Sequence, residues 1–140
     1  MIAYFDTSAV VPLLIAELGS QMAATLWDSA DRVVSVRLVY PETRAALAQA
    51  ERLRRMSSRD LRHAVSELDS RFEEMDLVEI DDLLARLAGA KAEDHGLRGS
   101  DAVHLAAALR VRDPDVVLVA GDRALLDAAT AERIAIAQLP

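Results

Sequence analysis

Five short apolar runs recur along the chain, at Ile2 to Phe5, Val33 to Val36, Leu77 to Ile80, Val116 to Ala120 and Ile134 to Ile136. Stretches with helical spacing of apolar residues separate them, and no linker, repeat or low-complexity tract intervenes. Strands alternating with helices need crossover connections, which make neighbouring strands parallel and cover both faces of the sheet. The pattern predicts an α/β fold with a mainly parallel sheet between helical layers. A single domain over residues 1–140 suffices, and it is long enough to bury a modest core.

The expected helices run Ser8 to Glu17, Gln21 to Ser29, Leu38 to Arg55, a helix capped by Ser57, Asp82 to Asp94, Asp101 to Arg112, and Arg123 to Ala129. Pro12 falls early enough in the first helix to be tolerated near its first turn. Ser57 with Asp60 three residues on forms a capping pattern. Leu61, Val65, Leu68, Phe72 and Met75 then follow helical spacing, as core or as a dimer surface. Trp27 is expected in the core or beside a partner's groove. His95 next to Gly96 suits a helix C-terminus, and His63 suits solvent.

Composition excludes several function classes. Cysteine is absent, which rules out disulfides and thiolate metal sites and suits a reducing cytoplasm. The apolar stretch Ala9 to Ala16 is too short to span a bilayer and reads as a buried helix, so no membrane role is expected. The net charge of −7 argues against general adhesion to nucleic acid. Lys91 is the only lysine, so nearly all cations are arginines, whose forked donors suit phosphate or carboxylate.

Four acids stand where segments end or turn. Asp6 follows the first apolar run and Asp122 the fourth; Glu42 and Asp101 lie near the starts of two alanine-rich helices. In an open α/β sheet, ligands bind beyond the carboxyl ends of the strands. Carboxylates gathered there repel one another unless some take up protons or a cation joins them. Hard divalent ions want such oxygen ligands and also bind phosphate. Each acid alone has a bland explanation. Asp6 and Asp122 suit helix N-caps, Asp101 suits the positive end of a helix dipole, and Glu42 suits a solvated helix.

The residues around the acids carry a family resemblance. Asp6-Thr7-Ser8-Ala9, Val34-Ser35 with Tyr40-Pro41-Glu42, Ser100-Asp101-Ala102-Val103-His104-Leu105-Ala106, and Leu118-Val119-Ala120-Gly121-Asp122-Arg123 together resemble the PIN-domain family, and most of all its VapC-type toxins. The likeness spans the chain in the family's order. It implies a three-layer α/β/α sandwich with a five-stranded sheet. It also implies a Mg²⁺- or Mn²⁺-dependent endoribonuclease that arrests translation, a homodimer, and a small cognate antitoxin of VapB type. On that resemblance Asp6, Glu42, Asp101 and Asp122 form the catalytic and metal-binding quartet, with Asp6 and Asp101 the most direct ligands and Ser8 in support. Arg98 and Arg123, near the acids, are expected to touch substrate phosphate. One departure stands out: Ala120 occupies a position, two residues before Asp122, where the family often has a hydroxyl, so a hydroxyl supporting Asp122 is expected to be missing.

Lesser features and rival readings complete the survey. His104, one turn beyond Asp101, is read as a structural histidine rather than a phosphate contact. Arg52, Arg54, Arg55, Arg59 and Arg62 cluster at one helix junction, either as a phosphate-steering arm or as a solvated turn paired with Glu51 and Asp60. A catalytically weak scaffold binding RNA or antitoxin is the first rival. An aspartyl-phosphate phosphotransferase using Asp6 is the second, disfavoured because Ser8 stands where such enzymes place another Asp.

Overall fold

The structure, a computed structural model, describes residues 1–140. Its elements in chain order are β1 (Ile2–Phe5), α1 (Thr7–Leu14), α2 (Ser20–Ser29), β2 (Arg32–Val36), α3 (Val39–Arg52), α4 (Ser58–Glu74), β3 (Asp76–Val78), α5 (Asp82–His95), α6 (Gly99–Val111), β4 (Val116–Ala120), α7 (Arg123–Ala131) and β5 (Ala135–Gln138). The five strands form one sheet in the order β3-β2-β1-β4-β5, and every neighbouring pair is parallel.

Side-chain alternation along the strands divides the interior in two. Ile2, Tyr4, Val34, Val36, Val116, Leu118 and Ala120 point to one side, where Leu84, Leu105 and Leu125 of α5, α6 and α7 cover them. Ala3, Phe5, Val33 and Val119 point to the other, against Val10, Trp27, Leu47 and Leu68 of α1 to α4. The result is the three-layer α/β/α sandwich. Trp27 belongs to the core, its ring edge-on to Phe5 at 5.3 Å. The central strand β1 is buried along its whole length, as a strand covered on both faces must be.

Several boundaries differ from the sequence reading, each for a local reason. Helix α1 stops at Leu14 rather than Glu17. Pro12 lies beyond the first turn, yet the ladder runs past it, with the Ile15 N–H bonding the Val11 carbonyl at 3.0 Å, and the helix ends because Ile15 itself turns extended. The final strand starts at Ala135 rather than Ile134. Arg133 adopts φ 65, and the Ile134 N–H closes the end of α7 by bonding the Ala129 carbonyl at 2.9 Å. The third strand is the three-residue edge Asp76–Val78 rather than Leu77 to Ile80. Helix α6 begins at Gly99, with Arg98 extended before it, which puts Asp101 in its first turn. The Ser57–Asp60 capping box forms as expected.

Helix α3 packs through a stripe of Val39, Thr43, Leu47 and Ala50. Thr43 is fully buried, and its hydroxyl is the only buried side-chain polar atom without a hydrogen-bond partner. An unsatisfied buried hydroxyl destabilises, whereas an isosteric methyl does not. Thr43→Val is therefore expected to raise stability by about 1 kcal/mol in urea denaturation. A loss of stability on that substitution would mean that the hydroxyl has a partner.

Candidate active site

Strands β1 and β4 are neighbours with Phe5 opposite Val119, so the residues that follow them leave the sheet at the same edge. Asp6 caps the N-terminus of α1 and Asp122 that of α7. Glu42 and Asp101 lie in the first turns of α3 and α6. Four helix N-termini therefore surround one crevice, and their positive ends favour the acids placed there. All four acids line a single cavity of about 360 Å³, together with Thr7, Ser8, Glu17, Arg98, Ser100 and His104. A larger cleft of about 530 Å³ between the end of α1 and α4 gathers no comparable set of acids, with Asp60 and Glu67 beside Arg55 and His63.

Each carboxylate commits one oxygen to the protein. Asp6 Oδ1 accepts from Ser8 Oγ at 2.6 Å and from the Ala9 N–H at 3.1 Å. Glu42 Oε1 accepts from Thr7 Oγ1 at 2.8 Å and lies 2.7 Å from His104 Nε2. Asp122 Oδ1 accepts from the Leu125 N–H at 3.0 Å, and Asp101 Oδ2 from Arg98 Nε at 3.1 Å. Asp6 Oδ2, Glu42 Oε2, Asp101 Oδ1 and Asp122 Oδ2 make no hydrogen bond within the protein. Asp6 and Asp122 thus cap their helices with one oxygen, and both line the cavity.

Ser8 does more than hold Asp6. Its Oγ also accepts the Gly121 N–H at 2.8 Å, tying the segment after β4 to the start of α1. That bond and the Asp122 cap hold the β4–α7 turn without help from position 120. Ala120 is fully buried in the sheet core, and the hydroxyl missing there leaves Asp122 anchored through its own cap.

The electrostatics are uneven. Burial pushes the Asp6 carboxyl up to about 6, against the pull of His104 and the hydrogen bonds from Ser8 and Ala9. Burial acts on Glu42 in the same sense, but the bond and charge of His104 and the bond from Thr7 outweigh it, and Glu42 lies below the usual range. Arg98 is the cation of the cavity, and its bond to Asp101 raises its own pKa. It also stands 3.9 Å from Asp122. As the side chains stand, no three His, Asp or Glu groups converge to hold a metal ion among themselves. The guanidinium lies between two of the acids, while the donors are all hard oxygens with one free on each carboxylate. The set fits a divalent oxygen-liganded cation in chemical kind.

Not every expected residue arrives. Arg123 is exposed beside Asp122 but neither lines the cavity nor pairs with its acids. Of the arginine cluster, Arg55 pairs with Glu17 at 3.4 Å rather than with Glu51 or Asp60. Three contributors escaped the sequence reading. Thr7 lay within the Asp-Thr-Ser opening, and only the packing of α1 against α3 turns it toward Glu42. Glu17 carries no signal in its neighbours. His104 is buried at 2% exposure, as a structural histidine should be, yet it bonds Glu42. Its spacing from Asp101 held that signal.

Known proteins resemble this chain over nearly its whole length. The PIN domain profile matches residues 3–131. Ribonuclease VapC45 of Mycobacterium tuberculosis is 44% identical over 140 residues, covering 99% of this chain and 97% of that protein. Among solved structures, FitAcB from Neisseria gonorrhoeae superposes with a TM-score of 0.71 at 17% identity, over 97% of this chain and 96% of that one. VapBC-5 from Mycobacterium tuberculosis, a member of the VapBC family of toxin–antitoxin systems, gives 0.64 at 19% identity, over 99% and 98%. At such identities the two structures establish the fold alone.

The raised Asp6 carboxyl has a measurable consequence in metal-free protein. Between its ordinary value of 3.8 and about 6, the folded state keeps a proton that the unfolded chain has released. Stability must then fall as pH rises through that window, by about 3 kcal/mol in all, and level off above it. Glu42, shifted down from 4.5, acts below that value and leaves the upper window to Asp6. Urea denaturation in EDTA from pH 4.5 to 7.5 should record this slope in the native protein and lose it in Asp6→Asn. An equal slope in both proteins would contradict it.

Proposed function

Because the chain belongs to the PIN-domain family, we propose that it is a divalent-metal-dependent endoribonuclease of the VapC toxin type. The observation that carries this reading is the gathering of Asp6, Glu42, Asp101 and Asp122 in one cavity, each with an oxygen free. The ribonuclease relative at 44% identity over nearly the full chain supports RNA as the substrate. The protein is read as one domain over residues 1–140, working in the cytoplasm as a homodimer. Its inhibitor is a small VapB-like antitoxin, a reading supported by its likeness to a VapBC toxin–antitoxin protein. No helix is long and apolar enough to cross a membrane.

In this reading Asp6 and Asp101 hold the Mg²⁺ or Mn²⁺ most directly, and Glu42 and Asp122 complete the site. When bound, the ion supplies Lewis-acid stabilisation of phosphate charge and activates water for attack, so no nucleophilic side chain is needed. Ser8 and the Ala9 N–H hold the Asp6 carboxylate, and Thr7 donates to that of Glu42. Arg98 pairs with Asp101. Its side chain is 78% exposed at the cavity mouth, within reach of a substrate phosphate once Asp101 is otherwise engaged. Arg123 stands further out, as a weaker contact to the RNA.

The decisive experiment incubates purified protein with structured RNA and either Mg²⁺, Mn²⁺ or EDTA. Cleavage should require metal, and Asp6→Ala and Asp101→Ala should each lose about 100-fold or more. Cleavage that survives EDTA, or that persists in Asp6→Ala, contradicts the reading. Phosphate trapped covalently on Asp6 would favour the phosphotransferase instead. Metal binding without any cleavage would favour a scaffold. Arg98→Gln should raise KM for RNA with a smaller effect on kcat, and an unchanged KM removes Arg98 from the substrate site. Millimolar Mn²⁺ should raise the melting temperature through preferential binding to the folded state, and Asp101→Ala should abolish the shift.

A further inference from the structure

We propose that His104 is a positioning residue that spends one oxygen of Glu42 on the protein and so presents the other to the cavity. The proposal rests on the reading of this cavity as a cation-dependent site. His104 stands on α6 with 2% of its surface exposed. Its Nε2 lies 2.7 Å from Glu42 Oε1, and its Nδ1 lies 3.0 Å from the hydroxyl of Tyr4. The two rings meet edge to face at 6.0 Å. Tyr4 belongs to the central strand and is wholly buried.

The direction of these bonds follows from their chemistry. A carboxylate only accepts, so Nε2 must carry the proton that it shares with Glu42. A phenol both donates and accepts, so the Tyr4 hydroxyl satisfies Nδ1 whether or not that nitrogen is protonated. Both ring nitrogens are then engaged by the protein, and neither remains for a phosphate. Thr7 Oγ1 reaches the same Glu42 oxygen at 2.8 Å and stands 3.4 Å from Nε2. Two elements, α1 through Thr7 and α6 through His104, thus meet on one oxygen of a residue from a third, α3, while β1 holds the imidazole through Tyr4. Glu42 has a long side chain with much rotamer freedom to lose. The convergence removes that freedom before any ligand arrives.

The test is a double-mutant cycle on Mn²⁺ affinity, followed by electron paramagnetic resonance of the free ion. His104→Leu fills the same space without a donor and should weaken Mn²⁺ binding about 10-fold or more, the usual effect of losing a partner that orients a ligand. His104→Gln, whose amide N–H reaches toward the position of Nε2, should restore most of the affinity. In a Glu42→Ala background, His104→Leu should change affinity by less than about twofold, since it acts only through Glu42. Equal losses in both backgrounds, or no loss in either, would overturn the proposal. Tyr4→Phe keeps the packing, and its expected loss is smaller than that of His104→Leu; it serves if His104→Leu fails to fold.

An arm without metal separates this proposal from the reading beneath it. In metal-free protein the His104 Nε2–H proton should be protected from solvent exchange in imidazole ¹⁵N spectra, and Glu42→Ala should expose it. Fast exchange in the unsubstituted protein refutes the positioning role even if RNA is cleaved. Protection there, with no Mn²⁺ binding and no cleavage, refutes the cation-dependent reading and leaves the geometry standing.

Discussion

The site depends on β1 lying between β2 and β4 in parallel register. Parallel pairing sends β1, β2 and β4 out at the same edge, so α1, α3 and α7, which follow them, begin there with their N–H groups facing the crevice, and α6 adds a fourth N-terminus. A sheet with one antiparallel neighbour would have placed Asp6 and Asp122 at opposite ends. The edge is further sewn together by side chains that cross between strands. Ser35 donates to the Phe5 carbonyl at 2.7 Å, and Ser8 takes the Gly121 N–H. Acid residues can crowd this edge because helix ends, hydroxyls and one guanidinium already face them.

Burial then makes the acids unequal. Asp6, at 3% exposure, is the residue most deprived of water, and its ionised form is the hardest to keep. Glu42 sits in a wetter place with two donors on one oxygen. Asp122 is the most open of the four. On the reading proposed above, a cation entering the cavity would compete with the proton that burial favours on Asp6, so its affinity would depend on pH through that carboxyl.

The strands of the fold were legible because fully buried runs such as Ile2 to Phe5 and Val116 to Ala120 leave a simple signature. The acids were legible because Asp6 and Asp122 sit directly after those runs and Asp101 and Glu42 open helices. What escaped depended on side-chain reach between distant segments. No local pattern relates Thr7 to Glu42, Glu17 to the cavity, or Tyr4 to His104, which are 100 residues apart. Arg123 follows Asp122 in sequence, yet its side chain does not line the cavity, because adjacent residues need not face the same way. The end of α1, three residues short of the expected Glu17, and the start of β5, one residue past the expected Ile134, depend on the extended turn at Ile15 and the left-handed Arg133.

Asp6 and Asp122 each begin a helix with one carboxylate oxygen and leave the other without a hydrogen bond. On the reading proposed above, folding and chemistry draw on opposite halves of the same side chains. Drift toward an inactive descendant is therefore channelled. Alanine at either position would strip a cap and loosen a helix, while asparagine or serine would keep the cap and discard the charge. Lineages that lose the chemistry but keep the fold should carry that fingerprint, with caps conserved in kind long after the carboxylates have gone.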